Sequence, residues 1–295
     1  MEILVTGATG GIGSWVVDSL AEDGHEVLGV DLRRPSGTRA NAQFYAADLT
    51  DQGQVWELLQ TAQPEQVVHC ASIPRMGERP GTETFRNNVL ATYNVFQAAG
   101  TVDADVVWTS SESLYGMPYA DPPFLPDYLP IDEAHPQRPE DAYGMSKLVS
   151  EQVAAMVVRK YGIAVTSIRP SWTNYPGDYG LTAVREGFDP ETADRSGNFW
   201  SYVDVRDVVS IIEAALSADA EGHEAYLAVA ENNYLGRNTA ETIETVFGDL
   251  PEDCALSGEE SAFSTAKAER ELGWEPAHTW REAEDESVAG PAFLS

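Results

Sequence analysis

The sequence predicts an α/β fold of the doubly wound type, in which helices cover both faces of a parallel sheet. Three observations lead to this prediction. Strand-like and helix-like runs alternate through the first two thirds of the chain, a glycine-rich turn follows the first strand, and an aspartate ends the second. Alternation of this kind forms right-handed βαβ units, which place successive strands side by side in one sheet.

Each element has its own signal. Strands are short runs of branched and aromatic residues, and helices are longer runs with apolar residues at every third or fourth position. The predicted strands span residues 2–6, 26–31, 43–46, 66–70, 105–110, 164–169 and 224–230. The predicted helices span residues 12–22, 52–62, 83–99, 142–161, 204–217 and 239–247, with a last short helix within residues 264–274.

Two segments interrupt the alternation. Residues 115–139 contain too many prolines for a helix or a central strand, and residues 169–204 are rich in Gly, Asp, Pro and aromatic side chains. We expect the second segment to roof a cleft. The chain is therefore divided into a nucleotide-binding sheet domain of the Rossmann type, residues 1–170, and a small substrate-binding lobe, residues 171–295, interleaved with the end of the sheet.

The composition limits the class of protein and its partners. Asp and Glu number 48 against 18 Lys and Arg, a formal charge of −30, yet periodic apolar residues argue against disorder. An acidic surface suits a cytosol at molar salt, where the Debye length is about 3 Å, so we expect a cytoplasmic protein of a halophilic organism. The charge argues against nucleic acid or an anionic membrane as a partner.

Two other features are expected to be absent. No apolar run approaches the roughly 20 residues that span a bilayer. The cysteines and histidines show no metal-ligand spacing, so no metal site is expected.

The first turn predicts a dinucleotide cofactor. Gly7, Gly10 and Gly13 lie between a strand and a helix, where glycine allows a tight turn and close approach of a pyrophosphate. Asp31 ends the next strand, at the distance expected for a ribose-binding acid, and its carboxylate favours NAD. Arg33 and Arg34 follow and could bind a 2′-phosphate, so NADP is the alternative.

One of the three lysines stands four residues after a tyrosine on a predicted helix. Lys147 therefore shares a helix face with Tyr143. The pKa of a free tyrosine is about 10, and a nearby ammonium stabilises the phenolate. We expect Lys147 to lower the pKa of Tyr143, so that the tyrosine acts as a base, and to hold the nicotinamide ribose.

Taken together, these motifs resemble the extended short-chain dehydrogenase/reductase superfamily, the NAD-dependent epimerase/dehydratase group, and in layout its small sugar and uronate dehydrogenases. The motifs are TGxxGxxG at residues 6–13, AADLTD at 46–51, HCAS at 69–72, NNVLAT at 87–92, TSSESLYG at 109–116 and YGMSK at 143–147.

The resemblance implies roles for individual residues. It implies a catalytic set of Ser111, Tyr143 and Lys147. The implied cofactor-binding residues are Gly7, Gly10, Gly11, Ile12, Gly13, Asp31, Arg33, Asp48, Leu49, Cys70, Ala71, Ser72, Asn88, Tyr143, Lys147 and Pro170. The expected substrate-binding residues are Ser111, Glu112, Ser113, Tyr143, Ser171, Trp172, Asn174, Arg195 and Trp200. Relatives dimerise through helices that correspond to residues 83–99 and 142–161, so a homo-oligomer is expected.

The reaction is left open among several alternatives. The first is oxidation of the C1 hydroxyl of a free sugar to a lactone, since the short roof offers Trp172, Asn174, Tyr175, Asn198 and Trp200 to an aldose. A uronate carboxylate could bind Arg195.

The main alternative is a nucleotide-sugar epimerase similar to UDP-glucose 4-epimerase, although only Arg185 and Arg195 are available in the roof for a diphosphate. Dehydration ranks lower because Glu112 is the one carboxylate in the serine segment. A non-catalytic NAD-binding protein ranks last, because Tyr143 and Lys147 are both present.

Overall fold

The computed structural model describes residues 1–294, which form one large sheet, one small sheet and the helices around them. The strands are β1 (Glu2–Thr6), β2 (Glu26–Asp31), β3 (Ala42–Ala46), β4 (Gln66–His69), β5 (Asp105–Thr109), β6 (Val165–Pro170), β7 (Thr173–Asn174), β8 (Val203–Asp204) and β9 (His223–Ala228). The helices are α1 (Gly11–Glu22), α2 (Gln52–Ala62), α3 (Gly81–Thr101), α4 (Ala142–Tyr161), α5 (Leu181–Glu186), α6 (Val205–Ser217), α7 (Thr239–Phe247), α8 (Ala266–Leu272) and α9 (Trp280–Ala283).

The large sheet is parallel throughout and has the strand order β3-β2-β1-β4-β5-β6-β9. The order reverses beside β1, because β2 lies on one side of it and β4 on the other. The predicted doubly wound α/β fold is therefore confirmed. The strand β9 comes from the C-terminal part of the chain and extends the sheet beside β6.

Alternating residues of the central strands bury apolar side chains on both faces of the sheet. Ile3 and Val5 of β1 pack with apolar residues of α1 and α6, whereas Leu4 packs on the opposite face with residues of α2, α3 and α4. A third apolar cluster, which includes Tyr115, Ile131 and Tyr202, lies under the C-terminal part of the chain.

Besides three 3-10 helices, Glu112–Tyr115, Met117–Tyr119 and Ala292–Leu294, the structure adds two short strands and two short α-helices that the sequence does not predict: β7, β8, α5 and α9. The two short strands have two residues each, and the two helices have six and four. Elements of this length are too short to show the periodicity on which a sequence prediction depends.

The roof, which we define as residues 171–204, is fastened at both ends. Its strands pair with each other through Thr173 beside Val203 and Asn174 beside Asp204. The far C-terminal segment holds its middle, where the Gly177 amide donates to the Ala283 carbonyl at 3.1 Å. The roof thus lies over the carboxyl ends of the strands as an ordered cover.

Two surface findings concern partners. None of the helices in residues 1–294 is long and apolar enough to cross a membrane. Tyr93 on α3 and Met145 on α4 are exposed apolar side chains on the helix pair expected to mediate oligomerisation, and that expectation stays a prediction.

Candidate active site

A cleft with a cavity volume of about 1340 Å³ runs along the carboxyl ends of the strands, from the turn after β1 to the roof. In an open parallel sheet this is the edge where ligands bind, at the point where the strand order reverses. Both the glycine turn and the Tyr143–Lys147 pair line this cleft, although they are far apart in sequence.

The glycine turn packs so tightly against its own backbone that only glycine fits at two of its positions. Gly7 has a φ of +68°, and a Cβ there would lie 2.7 Å from the Ala71 amide nitrogen. A Cβ on Gly13 would collide with the Gly7 carbonyl oxygen. The helix α1 begins after Gly10 without a side-chain cap and without an acidic residue in its first turn. Its free N–H groups therefore suit a pyrophosphate.

Asp31 is held in place by the same turn. Its Oδ2 atom accepts hydrogen bonds from the Thr9 amide at 2.9 Å and from the Thr9 hydroxyl at 2.7 Å. Arg33 is exposed and does not line the cleft, while the guanidinium of Arg34 lies over the ring of Tyr45 at 5.3 Å. The Asp31 carboxylate thus fits a ribose with free hydroxyls, and binding of NADP through Arg33 or Arg34 stays a prediction.

Helix α4 presents Tyr143 and Lys147 because of where it begins. The Asp141 carboxylate caps the helix, accepting from the amides of Tyr143 and Gly144 at 2.8 Å each. Lys147 follows one turn later, and its Nζ donates to the Thr109 carbonyl at 2.8 Å. Burial lowers the pKa of Lys147 to about 8.

The expected effect of Lys147 on Tyr143 is not what the structure shows. The pKa of Tyr143 is raised above its ordinary value, first by burial, while a hydrogen bond with Ser111 opposes this change. Lys147 Nζ lies 5.5 Å from the centroid of the Tyr143 ring and is committed to the Thr109 carbonyl. Burying the phenolate therefore outweighs the stabilisation by its neighbours, and Tyr143 is a neutral phenol here.

The serine segment after β5 carries a buried acid. Ser111 caps a short 3-10 helix, Glu112–Tyr115, by accepting from the Ser113 amide at 3.1 Å. Glu112 is only 5% exposed, and its Oε2 atom has no hydrogen-bond partner within residues 1–294. Burial raises the pKa of Glu112 to about 8, and the Ser171 hydroxyl opposes part of that rise. Glu112 is thus a neutral acid at neutral pH.

A buried ion pair supports this segment from behind. The Arg169 guanidinium of β6 binds both carboxylate oxygens of Glu151 on α4, at 2.9 and 2.7 Å. The hydroxyl of Ser110 donates to Glu151 at 2.8 Å, and Arg169 also donates to the Tyr115 hydroxyl at 2.8 Å. One network thereby joins α4, β6 and the segment that carries Ser111.

The cleft brings together most of the site residues expected from the sequence. Those that line it are Gly7, Gly10, Gly11, Ile12, Gly13, Asp31, Asp48, Leu49, Cys70, Ala71, Ser72, Ser111, Glu112, Ser113, Tyr143, Lys147, Pro170, Ser171, Trp172, Arg195 and Trp200. Their roles in binding and catalysis stay predictions.

Three expected residues do not line the cleft. Arg33 is exposed, as described above. Asn88 is buried behind the residues that line the cleft. Its side-chain amide accepts a hydrogen bond from the Ile73 nitrogen at 2.8 Å and donates one to the Ile73 oxygen at 3.1 Å. Asn174 donates to the Trp172 carbonyl at 2.8 Å, which stabilises the roof. These two amides position backbone rather than facing a ligand.

Other residues of the cleft were missed. Thr9 orients Asp31, but a threonine inside a glycine turn gives no signal of this role. Tyr119 meets the Tyr143 ring edge-on with centroids 6.3 Å apart, and Tyr234 meets Trp172 in the same way at 6.0 Å. Tyr175, expected among the sugar contacts, lies with its hydroxyl against Gly11. Tertiary folding alone brings these tyrosines to the cleft.

Comparisons with known proteins agree with this geometry. Residues 3–228 match the NAD dependent epimerase/dehydratase family. The chain is 28% identical to UDP-glucose 4-epimerase of Corynebacterium glutamicum, over 95% of this chain and 92% of that protein. It is 29% identical to L-arabinose 1-dehydrogenase (NAD(P)(+)) of Haloferax volcanii, over 64% of this chain and 72% of that protein. The structure of glucuronic acid dehydrogenase from Chromohalobacter salexigens is similar in fold, with a TM-score of 0.67, 23% identity and coverage of 99% and 93%.

Proposed function

This chain belongs to the NAD-dependent epimerase/dehydratase family, and we propose that it is a dehydrogenase that oxidises the C1 hydroxyl of a free sugar, an aldose or a uronate, to a lactone. The cofactor of the family is NAD, which supplies a hydride acceptor with a positively charged ring when it is bound. The glycine turn would hold the pyrophosphate, and Asp31 the adenosine ribose.

The small number of basic side chains along the cleft is the main support for this proposal. Arg75, Lys147 and Arg195 are the basic residues that line it within residues 1–294. Arg75 is paired with Glu78 at 2.9 Å, and Lys147 lies beside the catalytic tyrosine. A nucleotide sugar carries a diphosphate that needs several cations or N–H groups. Arg195 is the basic residue of the roof that lines the cleft, and its guanidinium already donates to the Phe247 carbonyl at 3.1 Å.

The other arginine of the roof is already engaged. Arg185 binds both carboxylate oxygens of Glu284, at 2.9 and 2.8 Å, and its guanidinium lies 3.8 Å from the centroid of the Trp280 ring. It does not line the cleft. The substrate end instead offers aromatic faces, among them Trp172, which is 40% exposed, and the buried rings of Trp200 and Tyr234. Aromatic rings and hydroxyls suit a free sugar.

The residues of the site would act on O1 of the sugar. Ser111 would form a hydrogen bond with O1. Tyr143, once it has lost its own proton to water, would take the proton from O1 while C1 gives its hydrogen as hydride to bound NAD and the C1–O1 bond becomes a carbonyl. Tyr143 must become a phenolate for this step, and Lys147 provides the nearest ammonium. Glu112 and Ser113 would bind the neighbouring hydroxyls.

Relatives support both this proposal and its alternative. The L-arabinose 1-dehydrogenase of Haloferax volcanii favours oxidation of a free sugar. The epimerase of Corynebacterium glutamicum matches more of the chain and favours a nucleotide-sugar 4-epimerase. The short roof, with Arg195 as its one arginine that lines the cleft, is the observation that favours the dehydrogenase.

The test is absorbance of reduced nicotinamide in molar KCl, with NAD and separately NADP, against aldoses, uronates and UDP-sugars. We expect a rise with NAD and a free sugar, and a loss of about 10²–10⁴-fold in kcat for Tyr143→Phe, the range for general acid–base groups. Interconversion of UDP-glucose and UDP-galactose by the same preparation, with no net reduction by any free sugar, would replace the proposal with the epimerase.

A further inference from the structure

Tyr175 is fixed over the glycine turn by the backbone on both sides of it. Asn174, the preceding residue, pairs with Asp204 in the small sheet. The Tyr175 carbonyl accepts from the Asp178 amide at 3.0 Å, and Gly177 is tied to Ala283. The side chain is therefore carried to its place by an ordered turn of the roof.

The hydroxyl of Tyr175 lies against Gly11 at the start of α1. A Cβ on Gly11 would collide with this hydroxyl and would lie 3.0 Å from the Tyr175 Cζ atom. Only a glycine at position 11 lets the phenol come so close to the helix terminus. Gly11 and Tyr175 both line the cleft, one from the sheet side and one from the roof.

Neither side of this contact has an acceptor. The Tyr175 hydroxyl makes no hydrogen bond within residues 1–294, and burial alone raises its pKa, so it is a neutral donor. Opposite it, α1 begins at Gly11 with no side-chain cap and no acidic residue in its first turn. Donors from two elements therefore face one stretch of the cleft without an oxygen to receive them.

We propose that the Tyr175 hydroxyl donates a hydrogen bond to the pyrophosphate of NAD and closes the roof over it, opposite the N–H groups of α1. No charged side chain contributes to the change in the pKa of Tyr175, so dipoles rather than a cation meet the phosphate charge here. In a protein with a net charge of −30, local donors of this kind offset the repulsion that a phosphate experiences on approach.

The simpler alternative is that the ring only fills the space above Gly11. Tyr175→Phe separates the two, because it keeps the ring and removes the hydroxyl. The measurement is the dissociation constant of NAD, ADP-ribose and adenosine by isothermal titration calorimetry in molar KCl. Tyr93→Phe, on the exposed face of α3, is the matched control.

We expect Tyr175→Phe to weaken NAD and ADP-ribose about tenfold, the effect of one hydrogen bond to a charged group, and to leave adenosine unchanged. Equal affinity of Tyr175→Phe and the wild type for NAD would overturn the proposal and leave the packing role. An equal loss of affinity for adenosine, which has no phosphate, would also overturn the proposal, since the substitution would then weaken binding without regard to the pyrophosphate. The test involves no sugar, so it stands or fails separately from the proposed reaction.

Discussion

Glu112 is a carboxylic acid held without an ionic partner beside the hydroxyls of the proposed sugar site. Its pKa is raised to about 8 by burial, so its carboxyl group is a hydrogen-bond donor at pH 7 and an acceptor above pH 8. A sugar hydroxyl bound by the neutral form would lose that donor as the pH rises. If Glu112 binds the sugar as proposed, substrate affinity would depend on pH around pH 8.

The variant Glu112→Gln keeps a neutral donor at every pH. We expect the KM for the sugar to rise more steeply in the wild type than in Glu112→Gln as the pH passes through about 8. Lys147 titrates in the same range and affects both proteins, so the difference between the two profiles isolates Glu112. Parallel profiles would show that Glu112 does not contact the substrate.

Stability gives an independent readout of the same carboxyl. A folded pKa above the unfolded value means that the native state binds the extra proton, so stability is lost as pH rises from about 4.5 to about 8. Glu112→Gln should gain stability relative to the wild type over that window, by on the order of 1 kcal/mol or more. Denaturant titrations of both proteins at pH 5 and pH 8 measure this gain.

For individual residues, the sequence predicted which residues lie near the site better than it predicted where their side chains point. The spacing of Tyr143 and Lys147 follows from helix geometry, and both residues reach the cleft. Asn88 and Asn174 are near the site, but their amides form hydrogen bonds with backbone groups, Asn88 with Ile73 and Asn174 with the Trp172 carbonyl. The Tyr143 pKa differs because the sequence shows the charges near a group and hides the depth of its burial.

Between α4 and β6, the Glu151–Arg169 pair decides how two elements meet at the site. Both side chains are 4% exposed, and the pair also holds Ser110, the neighbour of Ser111. Removing one charge leaves the other buried and uncompensated, which costs far more than the pair contributes when intact. The network thus sets the position of the serine segment relative to the tyrosine on α4.

Glu151→Gln should lower the free energy of unfolding by about 3–5 kcal/mol. The matched control is Asp127→Asn, which breaks an Arg138–Asp127 pair of the same 2.7 Å length whose side chains are 52% and 42% exposed. That control should cost less than about 1 kcal/mol. Denaturation in molar KCl measures both variants, and equal losses would mean that burial does not govern these pairs.

Long elements were predictable from the sequence and short ones were not. The predicted strand at 26–31 and helices at 52–62 and 142–161 match β2, α2 and α4 end to end. The helix predicted at 83–99 extends at both ends to Gly81–Thr101, since it begins directly after Pro80 and continues through Gly100, a residue type that commonly ends a helix. The roof was expected as a cover, yet its small sheet depends on partners that are about thirty residues apart in sequence.

Over the whole molecule, the net charge of −30 destabilises the folded state through repulsion, and salt reduces this repulsion. Screening shortens the range of repulsion between surface carboxylates and favours the compact state. We expect the unfolding midpoint to rise by on the order of 5 °C or more between about 0.1 and 2 M KCl. Scanning fluorimetry measures this rise. Sucrose at equal osmolality is the control, and an equal rise there would assign the effect to solute exclusion instead of screening.

The fastening of the roof has a consequence for how such an enzyme diversifies. Thr182 and Arg185 bind Glu284, and Gly177 binds Ala283, so the roof is anchored to the C-terminal segment. The cofactor turn belongs to the opposite end of the chain. If the cleft binds a sugar as proposed, substitutions within residues 275–290, none of which lines the cleft, would alter the sugar end through the roof and leave the glycine turn unchanged. Residues 275–290 are therefore a segment in which mutation could change the roof separately from the glycine turn.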